Sequence, residues 1–116
     1  MESKDKALKM AKLLYDKKAA DIEVLDISGI TIVADYFVIC TGSSSLQVQA
    51  LANALLDAME ENGEKALRTE GMRDAGWVLL DYGNVVVHIF KQEIREFYGL
   101  ERLWGDAERV PVTFSE

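Results

Sequence analysis

The stretch YFVICTGSSSLQVQAL, residues 36–51, joins an almost wholly apolar run to a Gly/Ser turn and then to the start of an amphipathic helix. Tyr36–Thr41 lacks polar alternation, so it reads as a strand at the centre of a sheet, covered on both faces. Ser44 followed three residues later by Gln47 has the form of a capping box. Val48, Leu51, Ala52, Leu55 and Met59 then keep helical spacing and predict one buried stripe reaching to about Asn62. Gly63 stands where a C′ residue ends such a helix. A turn of this kind can also cradle a phosphate, because backbone N–H groups and the helix dipole converge there. The question it raises is whether Gly42 holds a nucleotide or only turns the chain.

Upstream, DIEVLDI (21–27) is a β-branched-rich strand, and SGITIVAD (28–35) is a loop. Residues 4–18 predict an amphipathic helix. Ala7, Met10, Ala11, Leu14 and Lys18 form its stripe, Leu8 and Tyr15 widen it, Ser3 caps it and its lysines face water. Downstream, KALRTE (65–70) is a short strand, and a loop runs from Gly71 to Gly76. WVLLD (77–81) and VVVHIF (85–90) form a hairpin through YGN. A short helix over 91–98 ends at Gly99, and LERLW (100–104) adds a turn. The tail from Asp106 holds the one proline and is expected to trail along the surface. The order α-β-β-α-β-β-β-α predicts an α/β (α+β) domain, a mixed sheet of about five strands flanked by helices.

The chain has 116 residues, 49% of them hydrophobic, enough for one domain with a real core and too apolar for disorder. Cys40 is the sole cysteine, so no internal disulfide forms and a reducing compartment is expected. The first residues lack the apolar core of a signal peptide and the Arg/Ser-rich character of a presequence, which points to a bacterial cytoplasm. No apolar run approaches the ~20 residues that span a bilayer. Net charge is −7 and uneven: residues 1–18 carry six lysines against three acids, and residues 19–116 carry a net −10. An acidic surface repels a phosphate backbone and attracts a basic protein.

Catalysis finds little support in the residues. A Gly-Ser between strand and helix resembles the triphosphate grip of nucleotidyltransferases. Those enzymes also need two carboxylates, two residues apart on the next strand, to hold metal ions. Here Asp57 lies inside a helix, and the following strands offer single acids, Glu70 and Asp81. The Walker pattern is absent. His88, the one histidine, shares a strand face with Val86 and Phe90 and has no Cys or His near it, so it reads as a hydrogen-bonded structural residue rather than a metal ligand. No catalytic residue, metal or cofactor is assigned.

DYFVICTGSSSLQVQALA, EGMRDAGWVLLDYGNVVVHIF and REFYGLERLWGDA, in that order, resemble the ribosomal silencing factor (RsfS/Iojap) family. The resemblance covers residues 1–107 as a single domain and leaves 108–116 as a tail. It implies a nucleotidyltransferase-like fold lacking the catalytic carboxylates. It implies a function as well: binding to the large ribosomal subunit through its fourteenth ribosomal protein, steric exclusion of the small subunit, and repression of translation when nutrients are scarce. The partner side is then a basic protein, with no membrane and no sequence-specific nucleic acid. For the free factor, monomer and homodimer both stay open, pairing being one way to cover an exposed apolar patch. The competing readings are a nucleotide- or RNA-binding module using the Gly42 turn and the lysine helix, and an interaction module for another partner.

An interface needs a few aromatic or apolar anchors ringed by polar groups. Trp77, Leu79, Tyr82, Tyr98, Leu100 and Trp104 are the candidate anchors, with Glu70, Asp74, Asp81 and Glu101 as the acidic rim. Trp77 shares a strand face with Leu79 and Asp81, which favours the interface over the core. Its truncation to alanine is then expected to cost less than about 1.5 kcal/mol of stability. For the Gly42 turn, calorimetry with ATP and magnesium is expected to show no binding tighter than ~1 mM. A micromolar complex that Ser43→Ala abolishes would restore the nucleotide reading.

Overall fold

Helix α1 spans Ser3–Asp16, and strands β1 (Ala20–Asp26) and β2 (Tyr36–Gly42) follow it. Helix α2 (Ser45–Glu61) leads to β3 (Arg68–Glu70), β4 (Trp77–Asp81) and β5 (Val85–Lys91), and the chain ends with α3 (Gln92–Tyr98) and β6 (Glu108–Arg109). The structure, a computed structural model, describes residues 2–99, 102 and 105–114, without the side chains of residues 97 and 98. The sheet has six strands in the order β3-β4-β5-β2-β1-β6. Its β2–β5 pair is parallel, and its other pairs are antiparallel.

Both helix predictions of the stripe hold. α1 buries Ala7, Met10, Ala11 and Leu14, and α2 buries Val48, Leu51, Ala52, Leu55 and Met59. The two helices lie on the same face, where these side chains meet Val24, Val38, Cys40, Val78, Leu80, Val85, Val87 and Ile89. Burying a Leu or Met side chain contributes roughly 1.5–3 kcal/mol, so this face carries most of the hydrophobic stabilisation. α2 starts and stops as its sequence predicts. Ser44 Oγ accepts from Gln47 N–H at 3.1 Å. At the other end Gly63 N–H donates to Glu60 O and Glu64 N–H to Met59 O, both at 2.9 Å, the paired bonds of a Schellman motif.

α1 departs from expectation at three places. Ser3 is its first helical residue rather than its cap, and Glu2 in the cap position makes no side-chain cap bond. Lys18 lies beyond the helix, exposed and with φ +73°. Lys6 does not face water: it is 7% exposed, and its Nζ sits 2.6 Å from Glu64 Oε1 and 2.9 Å from Asn84 Oδ1. A buried ammonium survives only when paired and hydrogen-bonded. Here both partners come from other parts of the chain, so Lys6 ties α1 to the end of α2 and to the β4–β5 turn. The same bond holds the Glu64 carboxyl below the usual carboxylate range.

The opposite face is thinner. Leu25, Ile27, Ala34, Phe37, Ile39, Val86 and Phe90 form its buried cluster, and Trp77, Leu79, Ile94 and Ala107 pack against it. Arg95 pins α3 there. It is 9% exposed and donates to Thr41 Oγ1 and to the Asp21 carbonyl, both at 2.7 Å, and to Glu23 Oε2 at 3.2 Å. Asp21 has φ +48° within a β-bulge between Ala20 and Glu23, and the bulge turns its carbonyl toward the guanidinium.

The sixth strand was not foreseen. Arg109 pairs with Leu25 and Glu108 with Asp26, and Val110 N–H donates to Val24 O at 2.8 Å. Beyond it Phe114 stacks on Tyr15 with ring centroids 4.4 Å apart. The tail runs over the surface as predicted, but it is fastened there because β1 presents an edge of unpaired N–H and C=O groups.

Gly71 is the tightest point of the loop before β4. Its φ is +81°, and a Cβ would lie 2.1 Å from the Trp77 carbonyl oxygen. Gly71→Ala is therefore expected to cost about 2 kcal/mol or more in urea denaturation, from backbone strain and displacement of β4 together. Gly29→Ala, with nothing within 4 Å of the added carbon, serves as the near-neutral control. Equal stability of the two variants would contradict the close approach.

Candidate functional site

The turn after β2 uses its own donors. A Cβ on Gly42 would lie 2.8 Å from Val48 Cγ2 and 3.2 Å from Val48 N, so glycine lets the first turn of α2 close onto the strand end. Ser43 N–H donates to Gln47 Oε1, and Gln47 N–H donates to Ser44 Oγ. Two N–H groups of the turn are thus engaged at the helix cap, although Gln47 takes the Ser43 N–H rather than the Ser44 N–H that a capping box uses. Among the described residues, no group of three His, Cys, Asp or Glu side chains is placed to hold a metal ion. Cys40 is buried in mid-sheet, and burial pushes its thiol up to about 12, so no reactive thiolate forms there.

The second candidate lies on the sheet face away from α1 and α2. Strand alternation sends Trp77 and Leu79 to this face and Val78 and Leu80 to the helix side. Register then selects their neighbours. Trp77 stands opposite Phe90 and Leu79 opposite His88 on β5, while Leu79 meets Glu70 and Asp81 meets Arg68 on β3. The result is an aromatic and apolar strip with a charged end. Arg68 lies 2.5 Å from Glu70 Oε2 and 3.1 Å from Asp81 Oδ2, and Asp81 Oδ1 also accepts from Gly83 N–H at 2.8 Å. The Arg68–Glu70 bridge is solvent-exposed on both sides, so it orients the acids more than it stabilises the fold.

Trp77 sits between the two roles weighed for it. It is half-buried, its ring centroid lies 5.0 Å from that of Phe90 in a stacked arrangement, and its Nε1–H donates to His88 Nδ1 at 3.1 Å. Truncation removes packing as well as exposed area, so the expected stability cost of Trp77→Ala rises to about 2–3 kcal/mol. His88 is 4% exposed, and the Phe37 ring meets it at 74° with centroids 4.7 Å apart. Burial holds its imidazole down at about 4. The hydrogen bond requires Nδ1 unprotonated, so the neutral ring carries its proton on Nε2, which is buried without a partner among the described residues.

The remaining predicted residues divide. Tyr82 does not join Trp77. It is 6% exposed and belongs to the helix-side cluster, because it follows Asp81 and alternation turns it over; burial pushes its hydroxyl up to about 12. Asp74 is exposed in the loop before β4. Tyr98 ends α3, its side chain outside the description, and Leu100, Glu101 and Trp104 lie outside the described residues. Two residues were missed. Arg68 was legible as the only cation sharing a face with Glu70 in a short strand. Arg95 carried no local signal, since its partners are 54 to 74 residues away.

The description "Ribosomal silencing factor during starvation" belongs to a family model that matches residues 1–116. The ribosomal silencing factor RsfS of Bacillus subtilis is 50% identical over 99 residues, covering 85% of this chain and 84% of that one. A crystal structure of a Chromobacterium violaceum protein superposes with a TM-score of 0.86 at 37% identity, covering 100% of this chain and 94% of that one. A more distant relative, the mouse mitochondrial assembly of ribosomal large subunit protein 1, is 31% identical over 98 residues, covering 82% of this chain and 43% of its own length.

His88 makes the folded state pH-sensitive in a defined window. An unfolded histidine titrates near ~6.5, and the folded ring is held at about 4. Above the upper value neither state takes up the proton. Between the two values only the unfolded chain does, so stability falls as pH falls, by about 3 kcal/mol at most. A urea series from pH 7.5 to 4.5 is expected to show this decline and His88→Leu to flatten it. The same slope in the variant would assign it to other groups.

Proposed function

The chain belongs to the ribosomal silencing factor family, and we propose that it represses translation by occupying the large ribosomal subunit and keeping the small subunit from joining. The contact runs through the fourteenth protein of the large subunit. Trp77 and Leu79 serve as the apolar anchors, with Glu70, Asp74 and Asp81 as the acidic rim. The observation that carries this reading is the Trp77 strip itself: a half-buried tryptophan stacked on Phe90, beside Leu79 and bordered by acids, on the face that α1 and α2 leave to other contacts. Interface hot spots are enriched in tryptophan and sit inside a rim of contacts that excludes water.

Charge supports the same partner. Residues 19–116 carry a net −10, which suits a basic ribosomal protein. Tyr98, Leu100, Glu101 and Trp104 are proposed as further partner-contacting residues. In the free factor, a second copy covers the strip, since an exposed apolar patch is stabilised by pairing. Among the described residues no helix is long and apolar enough to cross a membrane, and the proposed place of action is the cytoplasm, with the ribosomes.

Cosedimentation with purified large subunits tests the reading. Trp77→Ala, at a temperature where denaturation curves show it folded, is expected to weaken binding at least about thirty-fold. Wild-type binding is expected to weaken as salt rises, because exposed charges are screened beyond ~8 Å at physiological ionic strength. A folded Trp77→Ala that binds like wild type would overturn the anchor. Binding indifferent to salt would remove the electrostatic part.

A further inference from the structure

We propose that His88 is a positioning residue for the docking surface: by accepting the indole N–H at Nδ1 it fixes the orientation of Trp77 that the large subunit meets. This inference rests on the Trp77 reading above and deepens it.

Three observations carry it. His88 cannot touch a partner itself, being 4% exposed beneath the strip, yet it holds the single polar atom of Trp77 at 3.1 Å. Its own ring is packed against the Phe37 ring at 4.7 Å and near the roughly parallel Phe90 ring at 6.1 Å. The acceptor therefore sits in a fixed place and direction. Ring packing does not by itself specify where the indole N–H points, whereas a directed hydrogen bond does.

The third observation is the other end of the imidazole. Nε2 is buried with no hydrogen-bond partner among the described residues. Burial of an unmatched polar atom opposes folding, and a leucine in the same space would not incur it. For stability alone, histidine is a poor choice at this position. What histidine supplies and leucine cannot is the acceptor for Trp77. The two roles thus separate by sign: a structural histidine stabilises the fold when present, and a positioning histidine is dispensable for folding but not for binding.

The experiment uses the full chain in three variants, His88→Leu, His88→Asn and Trp77→Ala, with purified large subunits as the probe. His88→Leu is expected to match or exceed the wild-type denaturation midpoint at pH 7.5. Its Trp77 indole proton is expected to exchange with solvent at least tenfold faster by NMR, and its binding to weaken about tenfold. His88→Asn, whose Oδ1 falls near the place of Nδ1, is expected to restore part of both the protection and the binding. His88→Leu that exchanges fast but binds like wild type overturns the inference, while Trp77→Ala still reports on the anchor by itself. Trp77→Ala binding like wild type overturns the anchor and the inference together. Should His88→Leu fail to fold, the role is structural and the inference falls. An Nδ1-protonated tautomer of His88 in the wild-type nitrogen spectrum overturns it without any variant.

Discussion

Parallel pairing of β2 with β5 is the contact from which the other placements follow. It runs through seven residue pairs, from Tyr36 opposite Val85 to Gly42 opposite Lys91, and β5 is buried on both faces along nearly its whole length. Parallel neighbours cannot be joined by a tight turn. The chain must leave β2 and return to the same end of the sheet, and α2 with the β3–β4 arm is the detour. That detour lays α2 against the sheet beside α1 and brings β4 to the free edge of β5. Once β4 pairs there, Trp77 stands opposite Phe90 and Leu79 opposite His88 without further choice. The site is thus a product of register, and register is set at the centre of the sheet, where a slip of one residue would exchange the side chains of its two buried faces.

The two faces answer different demands. The helix side gathers the longest apolar stripes and is secured by Lys6, a buried cation shared among three parts of the fold. The other side is thin, and it is organised by directed polar contacts: Arg95 to Thr41, Asp21 and Glu23, and Trp77 to His88. Hydrogen bonds contribute less to stability than burial does, but they fix direction. A thick apolar layer for stability and a directed polar layer for shape suit the proposed docking role. At the Gly42 turn, the Ser43 and Gln47 N–H groups likewise serve to fix the start of α2 against the end of β2.

Most of the architecture was legible because its signals are local. The α2 stripe, its capping box, its terminating Gly63 and the 77–90 hairpin are all written within a few residues of where they act. β6 was not legible, because two residues form a strand only when a neighbouring edge offers partners, and that edge exists only after β1 has folded. The outward-facing lysines failed at Lys6 for a related reason: helical periodicity says which way a side chain leaves the helix, and Asn84, 78 residues away, decides whether it meets protein or water. At the site, the face shared by Trp77, Leu79 and Asp81 follows from alternation alone. The same alternation puts Tyr82 on the other face, and weighing it as an anchor overlooked its place one residue past Asp81. His88 is buried and hydrogen-bonded as its sequence suggested, but the identity of its partner required the hairpin register, which the turn length alone does not settle.

The burial of Cys40 has a use of its own. The chain holds one thiol, in the innermost strand, fully enclosed and with its proton tightly held. An alkylating reagent reaches it only when β2 parts from its neighbours, and β2 cannot part without dissolving the sheet centre. Labelling therefore counts whole-molecule openings, one modification per escape from the native state, with no background from a second site. The protein carries an internal clock of its own unfolding, readable by mass in a mixture as crowded as a ribosome preparation. A bound subunit that guards the fold would register as a slower tick.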